Sequence, residues 1–469
     1  MATALRSDEF EGQILQTAKH TWTLGRCVGR GTCSVVLEVV GMCNSSTNLK
    51  KGREIKGAVK IFKQGPQFEA AGVNEMEILE YLNRQGKSDN KAYVVHLLDY
   101  FSHRGLMHLA YERLSCNLHH ILLKNSGEGL PLYIIKECSQ HILRALSFLA
   151  ASEVIHGDVK LSNIMWNANR GMFQLVDFAL SFLQGNQPYQ PLQSPGYQSP
   201  EVRVWNRLIA DGTADRSYSR CCCASDTWSF AYVLWYIYTG RPGLRCEIDS
   251  SVCDMCIKDD PCIHFKEIKS HLPRDERKIP KEQHELFLDF LVRMIKCRPE
   301  QRVVPDDALQ HRFLEPADGH QPIPSLSDLL LLPTTTLLLD NIYLENDSLK
   351  DVEETCAAFG VIRRITRGSE GKVLAVYYDA DDCSRAHSAL TGWIYNGRTV
   401  ITCFYPAGKA SDPGLFKPII QYTGHDNERS DKLRKRSLDL QPDSSKGNHA
   451  KCTKSEQENS AVDLEPKQV

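Results

Sequence analysis

The chain has 469 residues, 42% of them apolar and 24% charged, with 56 Lys/Arg against 58 Asp/Glu and a formal net charge of -2. That length exceeds one ordinary core, so two or three domains are expected, and the composition is that of a soluble globular protein. A charge balance this close to neutral gives no overall bias toward nucleic acid or an anionic membrane.

Residues 1–19 carry Arg6, Asp8, Glu9 and Glu11 without an apolar run, so no signal peptide is expected. The most apolar stretch, 228–238, is about half the length that spans a bilayer, so no membrane association is expected. Of the 17 cysteines, Cys27, Cys33, Cys138 and Cys356 sit singly in apolar segments and read as reduced thiols. Cys246, Cys253, Cys256 and Cys262 with His264 leave free thiols and a zinc site both open. The missing second C-x-x-C pair favours thiols.

In chain order, residues 22–63 read as strands broken by glycines and the polar tract 44–56. They contain Gly29-Arg30-Gly31-Thr32-Cys33-Ser34-Val35-Val36, a G-x-G-x-x-S-x-V turn. Glycine lets a backbone approach phosphate oxygens, although an ordinary glycine-rich hairpin has the same text. Lys60 follows in Ala58-Val59-Lys60-Ile61, and Glu75 lies on a helix read over 74–82. A lysine turned inward from a strand must be paired or bound to phosphate; two solvated charges are the alternative. Strands over 94–101 and 106–113, a long amphipathic helix over 132–151 and helices through 224–314 complete a strand-rich small lobe and a helical large lobe.

After the long helix comes His156-Gly157-Asp158-Val159-Lys160-Leu161-Ser162-Asn163, then a short hairpin and Val176-Asp177-Phe178-Ala179. These residues resemble the catalytic loop and metal-binding triplet of the eukaryotic serine/threonine protein kinases. The resemblance implies ATP and Mg2+ as cofactors. It makes Asp158 the acceptor of the substrate hydroxyl proton, Lys160 the support of the γ-phosphate, and Asn163 and Asp177 the magnesium ligands. It also implies that Gly29, Gly31, Ser34, Val36, Ala58, Lys60, Glu75, Glu112 and Leu114 bind ATP. Glu201 in Ser199-Pro200-Glu201 would pair with Arg302, and Asp226 would brace the catalytic loop. Three positions depart from the family: Ser34 for the third glycine, Gly157 for an arginine that meets a phosphorylated loop, and Ala179 for glycine. A positive φ at Ala179 would cost on the order of 1 kcal/mol. Gly157 predicts activity without loop phosphorylation.

Residues 321–336 carry Pro322, Pro324 and Pro333 and read as a linker. Then the text becomes β-α-β-β-α-β: strand 337–342, helix 348–359, strands 361–367 and 372–378, helix 381–390, strand 399–405. The order resembles an RRM, which stacks RNA bases on aromatic side chains of its central strands. Here those positions are Leu338, Lys372 and Leu374, and residues 337–405 hold 7 Lys/Arg against 10 Asp/Glu. RNA binding is therefore not expected. The acidic helix with Asp351, Glu353 and Glu354, and the Trp393-Ile394-Tyr395 loop, look like the U2 auxiliary factor homology motif (UHM), which binds tryptophan in a short basic peptide. These five residues are the expected docking set, a solvated helix face being the alternative for the acids. The loop lacks the arginine usual in that family.

The fold class read from the sequence is α+β: a bilobal protein-kinase fold followed by a small RRM-like β-α-β-β-α-β sandwich. The kinase domain is expected over 20–315 (small lobe 20–113, large lobe 114–315), a linker over 316–335, the RRM-like UHM domain over 336–408 and a disordered charged tail over 425–469. Lys432-Leu433-Arg434-Lys435-Arg436-Ser437 in that tail suits nuclear import, an ordinary solvated charge run being the alternative. Kinases carrying this motif imply a nuclear protein with a cytoplasmic pool. They also imply phosphorylation of Ser-Pro sites in splicing factors and stathmin-like proteins, with docking to splicing factors that carry tryptophan motifs. The alternative is a pseudokinase scaffold that binds such partners without phosphorylating them.

Overall fold

The computed structural model of the chain describes residues 9–44, 54–85, 88–127, 129–215, 221–241, 279–315, 329–342, 349–368, 372–395 and 398–406. The cysteine-histidine cluster at 246–264 and the basic run at 432–437 lie outside the described residues. Among the described residues no three metal-type ligands gather, and no helix is long and apolar enough to cross a membrane.

The small lobe is a six-stranded antiparallel sheet in the order β1-β2-β3-β4-β6-β5. Its strands are β1 (Ile14–Gln16), β2 (His20–Arg30), β3 (Ser34–Cys43), β4 (Glu54–Phe62), β5 (Leu97–His103) and β6 (Leu106–Glu112). Alternation decides what each face carries. In β4, Val59 and Ile61 bury with Trp22, Leu24 and Leu37, which leaves Ala58 and Lys60 on the other face. Trp22 can be buried because Gly41 has no side chain; a Cβ there would overlap the indole. Helix α1 (Pro66–Arg84) packs Glu75, Ile78, Leu79 and Leu82 inward. Helical spacing therefore carries one carboxylate, Glu75, into the interior along with the apolar stripe.

The large lobe contains α2 (Leu118–Lys124), α3 (Leu132–Ala151), α4 (Pro200–Ala210), α5 (Cys223–Thr239), α6 (Lys281–Met294) and α7 (Pro305–Leu309). Short strands β7 (Cys116–Asn117), β8 (Val154–Ile155), β9 (Ile164–Asn167), β10 (Met172–Leu175) and β11 (Phe182–Leu183) lie at its upper edge. Helix α5 is apolar on nearly every side because it is buried on nearly every side. Arg302 meets Glu201 through two 2.7 Å hydrogen bonds, the pairing that the sequence suggested.

The stretch read as a linker is packed where it is described. Leu331 and Leu332 are buried in the large-lobe core, and Trp166 Nε1 donates to the Pro333 carbonyl at 2.6 Å. Composition pointed to a linker because three prolines flank the segment, but its leucine run is long enough to find a core. Beyond it stand β12 (Thr336–Asp340), α8 (Leu349–Ala357), β13 (Ile362–Arg367), β14 (Val373–Tyr377), α9 (Ala380–Leu390), β15 (Ile394–Tyr395), β16 (Arg398–Thr399) and β17 (Ile401–Phe404). Four of these strands form one antiparallel sheet in the order β13-β14-β12-β17. One face, with Leu337, Leu339 and Ala375, packs with Val352 and Cys356 of α8. Leu338, Leu374 and Cys403 on the other face are buried with Leu329 and Tyr405. This C-terminal unit touches the small lobe through Lys56 Nζ and Asp379 Oδ2 at 2.6 Å and through Arg113 Nη1 and Asp381 Oδ2 at 3.0 Å. It touches the large lobe where Ala380 N donates to Asn169 Oδ1 at 2.8 Å.

Candidate active site

Four segments converge between the lobes. Lys60 Nζ on β4 donates to Glu75 Oε2 on α1 and to Asp177 Oδ1 after β10, each at 2.7 Å. Burial alone would favour neutral groups here. Glu75 and Asp177 together outweigh that influence on Lys60 and hold its ammonium above the ordinary lysine range. Burial raises the Glu75 carboxyl, whereas Lys60 brings Asp177 below the ordinary carboxylate range against its own burial. The three side chains thus form one hydrogen-bonded group at the inner wall, with an ammonium between two carboxylates.

Asp177 sits in the left-handed region, φ 68°, and Ala179 does not. The strain that a non-glycine residue could carry in this triplet falls on Asp177, so alanine at 179 meets no positive-φ penalty. Phe178 is fully buried, edge-on to the His156 ring at 4.7 Å, and Asn74 of α1 donates to the Ala179 and Ser181 carbonyls at 3.1 and 2.9 Å.

The catalytic loop is held from below. Asp226, near the start of α5, accepts from the backbone amides of His156 at 2.7 Å and Gly157 at 3.0 Å. Burial pushes its carboxyl up to about 7 although both amides pull the other way. Gly157 has φ 74°, and a Cβ there would lie 2.8 Å from the Leu180 carbonyl oxygen. Within the loop, Lys160 Nζ lies 2.8 Å from Asp158 Oδ2, and Asn163 Nδ2 donates to the Asp158 carbonyl at 2.9 Å.

Ser194, which no residue-type signal marked, completes the loop. Its hydroxyl donates to Asp158 Oδ1 at 2.7 Å and accepts from Lys160 Nζ at 2.9 Å. Gln193 beside it has φ 56° and is buried. Its amide donates to the Gly157 carbonyl at 2.8 Å, and its side chain donates to Ser225 O and accepts from Ser199 N. Its own carbonyl accepts from Gln198 Nε2 at 3.1 Å. Gln193 is therefore fastened by uncharged hydrogen bonds, whereas Ser194 is held by the charged pair Asp158 and Lys160. The one signal in the sequence was position, between the Asp177 triplet and Ser199-Pro200-Glu201.

The upper wall carries the glycine turn. Gly29 pairs with Val36 across β2 and β3, and Val36 pairs with Lys60 across β3 and β4. Gly31 N donates to the Ser34 carbonyl at 2.8 Å, and Ser34 is buried. A Cβ at Gly29 or Gly31 would meet nothing closer than 3.7 Å, and neither residue has a positive φ. The fold itself does not demand glycine at either position. Val36, Ala58 and Leu114 are half-buried apolar residues. The Glu112 side chain is turned to the large lobe, accepting from Asn167, Gln174 and the His96 amide, and pairs with Arg170 at 3.0 Å. The Glu112 amide donates to the His96 carbonyl at 3.3 Å.

Residues 22–314 match the family model described as "Protein kinase domain". The chain belongs to the protein kinase family. The kinase is 30% identical over 325 residues to "Serine/threonine-protein kinase Kist" of Homo sapiens, covering 66% of this chain and 74% of that protein. The Mus musculus protein of the same name gives the same identity and coverage. "Dual specificity tyrosine-phosphorylation-regulated kinase 4" of Homo sapiens is 26% identical over 326 residues, covering 64% of this chain and 58% of that one. Protein kinases use ATP and Mg2+, and the paired Lys60 and Asp177, the glycines at 29 and 31 and the amide of Asn163 suit that pair of ligands.

The five residues expected to dock a peptide lie on α8 and at β15 of the C-terminal unit. Asp351, Glu353 and Glu354 are exposed on α8, and the Trp393 and Tyr395 rings stand 5.6 Å apart. An open cavity of about 610 Å³ in the C-terminal unit is lined by Glu353, Phe359, Asp382 and Arg385, among others, and by neither Trp393 nor Tyr395. Arg385 is a cation that the sequence reading did not single out.

Proposed function

We propose that this kinase transfers the γ-phosphoryl group of ATP to serine or threonine of proteins, with Ser-Pro sites preferred. The observation that carries the reading is the Asp158-Lys160-Ser194 contact, in which a hydroxyl already sits between a carboxylate and an ammonium. Asp158 takes the proton of an incoming substrate hydroxyl as the hydroxyl oxygen bonds to the γ-phosphorus, the bond from that phosphorus to the β–γ bridging oxygen breaks and ADP leaves, and Lys160 holds charge on the transferring group. Lys60 fixes the α- and β-phosphates, and Gly29 and Gly31 leave their backbone free to approach them. Asn163 and Asp177 are the residues that would hold magnesium, which would supply positive charge beside the phosphates when bound. Val36, Ala58 and Leu114 cover the adenine, with the Glu112 backbone at its edge.

The proline preference has a physical basis in Gln193. An ordinary residue after the acceptor serine brings an N–H that needs an acceptor once buried. The Gln193 carbonyl beside Ser194 is already engaged by Gln198. Proline has no N–H and loses nothing there. The neutral fastening of Gln193 to Gly157 supports activity that needs no loop phosphate, and favours transfer over the scaffold reading.

For the C-terminal unit we propose an RRM-like protein-binding module of the UHM kind, docking basic tryptophan-bearing segments of splicing factors near Glu353. The buried second sheet face argues against base stacking. Nuclear location is proposed from the basic run at 432–436.

One experiment tests these readings. Phosphatase-treated full-length protein is given ATP, magnesium and a Ser-Pro peptide, its Ser-Ala twin, or a splicing-factor fragment with a tryptophan motif. Asp177→Ala should cut transfer by about a thousandfold. Gln198→Ala should narrow the Ser-Pro preference roughly fivefold, and Glu353→Lys should weaken use of the tryptophan fragment roughly tenfold. Wild-type transfer no faster than Asp177→Ala would establish the scaffold instead.

A further inference from the structure

Tyr111 is the penultimate residue of β6, opposite Ala58 of β4 and Leu97 of β5. It is 8% exposed, and a buried phenol needs a partner for its hydroxyl. That partner is Glu75 Oε1, at 2.8 Å. Burial and the neighbouring Glu75 hold the Tyr111 phenol well above its ordinary value, so the hydroxyl keeps its proton and donates.

Glu75 is itself 1% exposed. Its second oxygen, Oε2, receives Lys60 at 2.7 Å. Each carboxylate oxygen thus has its own donor, one from β4 and one from β6, and the two contacts together set the rotation of the carboxylate plane. Lys60 stands over the Phe62 ring, 5.1 Å from its centroid, and reaches Asp177 on its far side. Phenylalanine at 111 would fill the same volume as tyrosine. It would leave Oε1 buried without a donor, and the carboxylate would be free to turn.

We propose that Tyr111 is a positioning residue for the nucleotide phosphates: its hydroxyl fixes the Glu75 carboxylate, and through it the direction in which Lys60 points into the cleft. This rests on the reading that Lys60 meets ATP. It assigns the tyrosine hydroxyl a role that packing alone does not require.

The test is a double-mutant cycle in the full-length chain: wild type, Tyr111→Phe, Glu75→Gln and the double variant. Affinity for magnesium and a non-hydrolysable ATP analogue is measured by calorimetry, and KM for ATP and for peptide by steady-state kinetics. Each variant is assayed well below its own unfolding midpoint. Tyr111→Phe should weaken the nucleotide about tenfold and leave the peptide KM unchanged. In the Glu75→Gln background the same change should matter less than about twofold, because the hydroxyl acts through that carboxylate. Nucleotide affinity unchanged in Tyr111→Phe overturns the proposal. So does an equal tenfold loss in the Glu75→Gln background, which would place the effect elsewhere. A wild type that binds the analogue but transfers no phosphate would remove the transferring reading and leave the affinity cycle to decide on Tyr111.

Discussion

Two charged contacts join distant parts of this chain, and they differ in burial far more than in chemistry. In the large lobe, Arg302 and Glu201 lie 2.7 Å apart with side-chain exposures of 0% and 5%. Between the small lobe and the C-terminal unit, Lys56 and Asp379 lie 2.6 Å apart with exposures of 34% and 26%. Arg302 also donates to the carbonyls of Lys296, Ala224 and Cys297 and lies over the Trp228 ring, so its guanidinium is fully engaged. Lys56 is shared between Asp379 and Asp381, and all three side chains are partly exposed. The first contact is an internal brace whose two halves need each other. The second adds direction to a junction that Leu331, Leu332 and Ala380 hold by apolar burial. Distance alone would have ranked them as equals.

Breaking the buried pair is the severest trial of that comparison. Arg302→Ala should cost about 3–5 kcal/mol, because Glu201 stays behind as a buried charge without its partner. Urea unfolding that shows less than about 1 kcal/mol would mean that burial does not set the value of the pair.

A buried titratable group with no countercharge sharpens the same point through pH. His108 on β6 is fully buried beside Phe101, and burial lowers its pKa to about 4. The hydrogen bond to the Leu106 carbonyl opposes that shift, and His103, 5.9 Å away ring to ring, acts with burial. The folded value lies below the unfolded one of about 6.5. Neutral His108 therefore contributes its full share above pH 6.5 and loses it as pH falls toward 4. In His108→Phe the stability lost between pH 7 and pH 5 should shrink by roughly 2 kcal/mol. Thermal midpoints across that range measure it, and parallel curves for the two proteins would show that the ring titrates normally.

The smallest effect belongs to the exposed pair. Lys56→Met should change stability by less than about 1 kcal/mol, and the difference from wild type should fade in high salt. A loss as large as that of Arg302→Ala, indifferent to salt, would make the junction a second internal brace.

Much of the fold was legible because its signals are local. The α3 span, the alternation that turns Lys60 away from Val59 and Ile61, and the helical spacing that buries Glu75 are each written within a few residues. The catalytic loop was legible for a different reason: Asp158, Lys160, Asn163 and Asp177 are polar residues in an order that chance rarely supplies. Ser194, Gln193 and Tyr111 were not. A serine, a glutamine and a tyrosine are ordinary in such text, and their meaning comes from Asp158, Gly157 and Glu75, each about 35 residues distant. The linker was misjudged where proline composition outweighed the leucines at 329–332.

The sequence by itself determined the order of elements, the residue types at the catalytic loop and the absence of aromatic side chains at Leu338, Lys372 and Leu374. Tertiary structure alone decided which oxygen of Glu75 meets Lys60 and which meets Tyr111, where the carbonyl of Gln193 points, and that Leu329 covers the second sheet face. The physical reason is reach. Periodicity is a property of neighbouring residues, whereas a buried polar group takes whichever partner chain closure brings within 3 Å, and that choice is settled only when the whole core has formed.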